Sequence, residues 1–161
     1  MKHNKKTSRG RKSPARITIW EKKFSKKLYK CHKHFAKKVF HRLMKKSSTL
    51  RSTLKRRSKE YEVEFNISLE EVRGLLYKAY GKQCSYCEVR LVVSNMACDH
   101  IMPLSMGGNS TELNLQMICH RCNTRKGPLT HRNFKKLLKW LEHQDKDLMH
   151  YVLKKMASRD F

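Results

Sequence analysis

The chain has no apolar run approaching 18 residues, which excludes a membrane-spanning helix. Its basic N-terminus is not followed by the short apolar stretch of a secretory signal, so export is not expected. No internal repeat is present. Acidic residues are nearly missing from the first part of the chain. Residues 1–60 hold 23 lysines and arginines against only Glu21 and Glu60, a balance of +21, whereas residues 61–161 hold 15 against 11. Almost all of the net charge of +25 therefore lies in the first 60 residues. Such a segment binds polyanions by releasing their counterions, largely irrespective of sequence. Nucleic acid is the expected polyanion, in preference to an anionic membrane surface. The expected setting is the cytoplasm, in association with DNA or the nucleoid.

With 161 residues and 39% hydrophobic content, the chain can bury a core, but a thin one that gains from a structural metal. Residues 1–16 are polar and basic, contain Gly10 and Pro14, and read as a disordered arm. Residues 17–60 read as a basic helical extension that binds DNA. Its apolar positions, Ile17, Trp20, Phe24, Leu28, Cys31, Phe35, Val39 and Leu43, recur in helical steps. Lys22, Lys26, Lys30, Lys33 and Lys37 fill its other faces and are candidate phosphate contacts. Residues 47–60 read as a connector of undefined form. Residues 61–161 read as the main domain. It opens with a short strand through Tyr61, Val63, Phe65 and Ile67, and continues with a helix that begins at a Ser68–Glu71 capping box and ends near Gly81. Thr130 is suited to cap a later helix with Phe134, Leu137, Leu138 and Leu141 on one face, and a last helix is expected from about Asp145 to Met156.

Without export, paired thiols read as metal ligands rather than disulfides. Cys84-x-x-Cys87 and Cys119-x-x-Cys122 are two such pairs, and four thiols in this arrangement suit a tetrahedral zinc ion. No βαβ pattern surrounds either pair, which speaks against a thioredoxin-like role. Cys31 and Cys98 are left over and read as small buried hydrophobes. The loop between the knuckles is too long for a simple ribbon and should enclose a strand at 96–101, a turn through Pro103 and Gly107-Gly108, a strand at 114–118, and then a helix. Asp99 can offer a carboxylate oxygen to a hard cation, and Asn123 a neutral one. His100 points the other way along its strand and suits a base beside the metal. Its second nitrogen needs a partner, which Asn114 can supply through its amide oxygen or its main-chain carbonyl. Taken alone, Asp99 reads equally well as a turn carboxylate, and His100 as a zinc ligand or structural histidine. Enclosed by the two knuckles, the catalytic reading prevails. Arg121, Arg125 and Lys126 are further candidate contacts to nucleic acid.

The strings DHIMPLSMGG and NLQMICHRCNTRKG resemble the HNH endonuclease family. The resemblance is close over residues 84–127 and looser over 61–81 and 130–157. It implies an α+β, ββα-metal (His-Me finger) nuclease core stapled by a structural zinc, flanked by helices and preceded by the long basic helix. It also implies hydrolysis of a phosphodiester in double-stranded DNA by a nicking or homing-type enzyme of a phage or mobile element, acting as a monomer or homodimer. In that reading Asp99 and Asn123 ligate a catalytic Mg²⁺, Mn²⁺ or Ni²⁺, His100 is the general base, and Asn114 orients it. Asn123 stands where many members carry histidine, so the pattern is of HNN type. The competing reading is a zinc-containing basic protein that coats DNA or binds RNA without cleaving it.

Overall fold

The computed structural model describes residues 33–158 together with Lys22, Lys23 and Lys26; the side chains of residues 33–36 are not described. The expected arm over 1–16, Cys31 and Lys30 lie outside the described residues.

Helix α1 spans Lys33–Glu60. It continues through the segment expected to be a connector of undefined form. Its buried positions include Val39, Leu43, Ser47, Leu54 and Ser58, with Leu50 partly buried against the core. These fall in steps of three and four, so the apolar stripe does continue past Leu43. Two serines stand in it, and they hide its periodicity in the sequence. Both are satisfied: Ser47 donates to the Met44 carbonyl at 2.7 Å, and Ser58 donates to Ser110 Oγ at 2.7 Å. Val39, Leu43 and Leu54 belong to the same hydrophobic cluster as Leu76, Ile118 and Phe134, so the packing shows no break at residue 60. Two polar anchors reinforce this: Lys46 Nζ donates to the Val93 carbonyl and Arg51 Nε to the Ile67 carbonyl, each at 3.0 Å.

After α1 the chain turns through Glu62, at φ +52°, into β1, Phe65–Asn66. The four-residue alternation from Tyr61 gives only this two-residue strand, because α1 and its closing turn take up Tyr61–Val63. Helix α2, Leu69–Ala79, begins at Ser68, where both hydrogen bonds of the expected capping box form, and buries Val72 and Leu76.

The central hairpin pairs β2, Met96–His100, antiparallel with β4, Leu115–Cys119, in a register that sets Asp99 opposite Gln116 and His100 opposite Leu115. The intervening loop holds two short 3₁₀ turns and β3, Ser110–Thr111, which pairs in parallel with β1. Gly108 is required in this loop, since a Cβ there would lie 2.0 Å from the Met102 carbonyl oxygen. Helix α3, His120–Lys126, follows β4 directly. Together, β2, β4 and α3 form the ββα unit. Helices α4, His131–Leu141, and α5, Lys146–Ser158, close the structure, with Thr130 capping α4 as expected. No helix among the described residues is long and apolar enough to cross a membrane.

If α1 belongs to the core, Leu54→Ala should lower unfolding free energy by about 2–5 kcal/mol, the usual cost of such a truncation at a buried site. A urea titration followed by far-UV circular dichroism measures it. A midpoint unchanged from the parent chain would mean that α1 packs on nothing essential.

Candidate active site and metal centre

The candidate metal centre is built from two tight turns. In the first, Cys84 N–H donates to the Val89 carbonyl and Glu88 N–H to the Cys84 carbonyl, with Glu88 in the left-handed region. The second is the start of α3: Cys119 is its N-cap, and its sulfur accepts from the Cys122 N–H at 3.4 Å. A further N–H, that of Cys119, reaches Cys84 Sγ at 3.4 Å. The four sulfurs of Cys84, Cys87, Cys119 and Cys122 all lie within 4.8 Å of one another. No disulfide joins them. Burial is the largest influence on Cys119 and Cys122 and raises both thiols. Thiolates buried at such a spacing need a cation between them, and an all-sulfur tetrahedral set fits zinc. Cys98 is half-buried against the core, apart from this cluster, and its thiol is raised by burial and then by the charge of Asp99.

Strand β2 ends at the second centre. Asp99 and His100 are both 6% exposed. Asp99 Oδ2 accepts from Gln116 Nε2 at 2.8 Å, across the hairpin register. Asp99 Oδ1 accepts from Lys126 Nζ at 3.0 Å, and the same ammonium donates to the His100 carbonyl at 2.8 Å. Gln116 also donates to Tyr86 Oη at 2.9 Å, and Tyr86 Oη lies 2.8 Å from His131 Nδ1. Tyr86 stands between two of the knuckle cysteines, so a short polar chain joins the thiol cluster to the Asp99 carboxylate.

His100 Nε2 lies 2.9 Å from Ser110 Oγ. Burial, then the nearby charges of Arg57 and Lys126, push the imidazole down to about 4. His100 is thus neutral at pH 7 and able to accept a proton. Asp99, His100 and Asn123 line one cleft of about 680 Å³, with Arg57 and Tyr61 from the end of α1 and Arg125 from α3 on its walls. Arg125 Nε is buried there with no hydrogen-bond partner among the described residues.

Several expectations for individual residues change. Asn114 does not bond to His100. Its amide accepts from the Met102 N–H and donates to the Met102 and Asn109 carbonyls, and its main-chain carbonyl accepts from the Ile101 N–H. Asn114 thereby clamps the loop that follows His100, and Ser110 takes the place beside the ring. Lys126 was expected at a DNA phosphate. It is instead 1% exposed and committed to Asp99, because a buried carboxylate demands a counter-charge. Arg121 is exposed, with its guanidinium against Cys87. Lys22, Lys26 and Lys37 are exposed and helical. Ser58, Ser110, Gln116 and Tyr86 were not anticipated. Of these, only Gln116 had a usable signal, as it faces Asp99 once the hairpin register is known.

Residues 84–129 match the model of the family described as HNH endonuclease. A 46-residue segment is 46% identical to the CRISPR-associated endonuclease Cas9 of Corynebacterium diphtheriae. That segment is 28% of this chain and 4% of the Cas9 protein, so the likeness concerns one small part of that relative. The chain carries an HNH-type nuclease domain at residues 84–129, and its four-cysteine cluster is suited to a metal ion such as zinc.

Two outcomes are expected of this architecture. Purified protein should contain close to one zinc per chain by atomic emission, and Cys84→Ser should lose both the zinc and the folded signal of the domain. Asp99→Ala should cost about 3–5 kcal/mol of stability, because it leaves the Lys126 ammonium buried and unpaired. Asp99→Asn, which keeps an oxygen for Lys126, should cost less in the same thermal melt.

Proposed function

We propose that the chain is a metal-dependent endonuclease that hydrolyses phosphodiester bonds in double-stranded DNA. The observation that carries this reading is the convergence of Asp99, His100 and Asn123 on one cleft walled by arginines. Asp99 and Asn123 offer hard oxygen donors, which suit Mg²⁺, Mn²⁺ or a comparable divalent cation. Bound there, that ion would neutralise charge on the phosphate and stabilise the leaving 3′-oxygen.

The chain's own groups do the rest. His100 is buried and lines the cleft, and with Nε2 engaged by Ser110 its Nδ1 is the nitrogen left to take a proton from water. Arg125 and Arg57 have the planar donor sets that hold phosphate oxygens in place. Asn114 fixes the loop between the two strands, so that His100 and the start of β4 keep their spacing. Lys126 already occupies one oxygen of Asp99, so a cation binds against a neighbouring positive charge and its affinity should be weak. One base and one cation treat one strand at a time, which supports nicking by a single chain.

The basic first part of the chain supplies affinity. Residues 1–32 hold 12 lysines and arginines against Glu21 and lie ahead of the helix that enters the core. They provide phosphate contacts with little sequence preference.

Supercoiled plasmid with Mg²⁺ or Mn²⁺ tests the reading directly. The parent chain should convert it to the nicked form, and excess chelator should stop it. His100→Ala should slow cleavage by ~10²–10⁴-fold, the usual contribution of a general base, while gel-shift affinity stays within a few-fold. Cleavage by His100→Ala at the parent rate would reject the assignment, and binding without cleavage by the parent under every cation would favour a DNA-coating protein. Removing residues 1–32 should weaken DNA binding and flatten the slope of log affinity against log salt by several units, at about 0.9 for each phosphate no longer neutralised. An unchanged slope would mean that those residues face something other than DNA.

A further inference from the structure

The polar network around His100 extends beyond the segment that resembles known nucleases. Ser110 Oγ lies 2.9 Å from His100 Nε2, and Ser58 Oγ donates to Ser110 Oγ at 2.7 Å. Ser58 and Ser110 are 1% and 0% exposed. Ser58 belongs to the last turn of α1, 26 residues ahead of the matched segment 84–129. Ser110 is held from the other side by β1, through its N–H to the Glu64 carbonyl at 2.8 Å and the Phe65–Ser110 register. Nothing about general core packing calls for two hydroxyls here. A buried hydroxyl without a partner is costly, and small apolar residues fill such space without that cost. Here each hydroxyl finds the other, and the chain of bonds ends on Nε2 of His100.

We propose that Ser110 and Ser58 are positioning residues of the hydrolytic site, forming a buried Ser58–Ser110–His100 relay that fixes the orientation of the imidazole. The proposal rests on the reading of His100 as the general base. In the relay the Ser58 hydroxyl donates to Ser110 Oγ, and that oxygen is within hydrogen-bond reach of His100 Nε2, so the ring is held through Nε2 and Nδ1 is the nitrogen not engaged by the two serines. The last turn of α1 is thus part of the active site, although it lies outside the ββα unit. Asn114, expected to do this work, instead holds the loop.

The test uses the full chain, zinc-loaded, with supercoiled plasmid and Mn²⁺ under single-turnover conditions. Ser110→Ala is expected to slow cleavage by about 10–100-fold, the loss usual for removal of a partner that orients a histidine, with plasmid affinity within two-fold of the parent. Ser110→Thr, which keeps the hydroxyl, should recover most of the rate. Ser58→Ala should slow cleavage less, and in the Ser110→Ala background it should add nothing, since both act through one oxygen. A separate reading needs no turnover: the ¹⁵N imidazole shifts of His100 should differ between the parent and Ser110→Ala, because the bond to Nε2 is lost. Parent-like cleavage and unchanged imidazole shifts in folded Ser110→Ala would overturn the relay while leaving His100 as base. Parent-like cleavage by His100→Ala would overturn both. If Ser110→Ala fails to fold, Ser58→Ala decides: a parent-like rate with unchanged imidazole shifts rejects the proposal, and a slowed rate with unchanged affinity supports it.

Discussion

A lysine ammonium buried against a carboxylate holds the centre of this molecule together. Lys126 has a side chain 1% exposed, and Asp99 one 7% exposed. Neither charge is tolerable there alone, since desolvation costs several kcal/mol per ion. Each therefore dictates the position of the other. Lys126 also donates to the His100 carbonyl, so it grips the end of β2 at two points. Helix α3 has only seven residues, two of them buried, Cys122 and Lys126. It is pinned at its start by the cysteine cluster and at its end by this ion pair. Asn123 lies between those two pins and lines the same cleft as Asp99. A short helix that on its own would be marginal becomes a rigid shelf for a polar side chain.

The same economy governs α1. A 28-residue helix with no acidic residue in its first turn and an abundance of lysine on its surface repels itself. What keeps it folded is a narrow stripe from Val39 to Ser58 and a few side-chain anchors, among them Arg51 to the Ile67 carbonyl. The stripe buries two hydroxyls as well as aliphatic groups. One of them, Ser58, spends its hydrogen bond on the residue beside His100. The helix thus presents positive charge outward and polar precision inward, from opposite faces of one element.

Much of this was legible in the chain itself, for definite reasons. The two Cys-x-x-Cys turns, the Ser68–Glu71 box and the Thr130 cap are local, and each is fixed by residues at most three apart in sequence. The hairpin strands could be placed because their ends are marked by Asp99-His100 and by Cys119. The continuation of α1 could not be read, because Ser47 and Ser58 sit where the periodicity called for apolar side chains. For the ring of His100, the amide of Asn114 is the nearest obvious partner in sequence pattern, yet it turns to the loop instead. Deciding for Ser110 requires knowing that β3 pairs with β1, a contact between residues 45 positions apart. Lys126 looked like one more surface cation in a basic chain. Nothing in its neighbours, Arg125 and Gly127, distinguishes a lysine that goes inward from one that goes out. Long-range polar pairing is the information that local pattern lacks, and the candidate site is made of it.

The chain of contacts from Tyr86 through Gln116 to Asp99 has a thermodynamic consequence. Tyr86 belongs to the first cysteine turn, and its hydroxyl shares Gln116 with the Asp99 carboxylate. Were an ion to order the four thiols and another to settle on Asp99, any coupling carried by this chain of bonds would be reciprocal, each ion changing the other's affinity by one common factor. Titrating one ion in the presence and absence of the other would read that factor from either end.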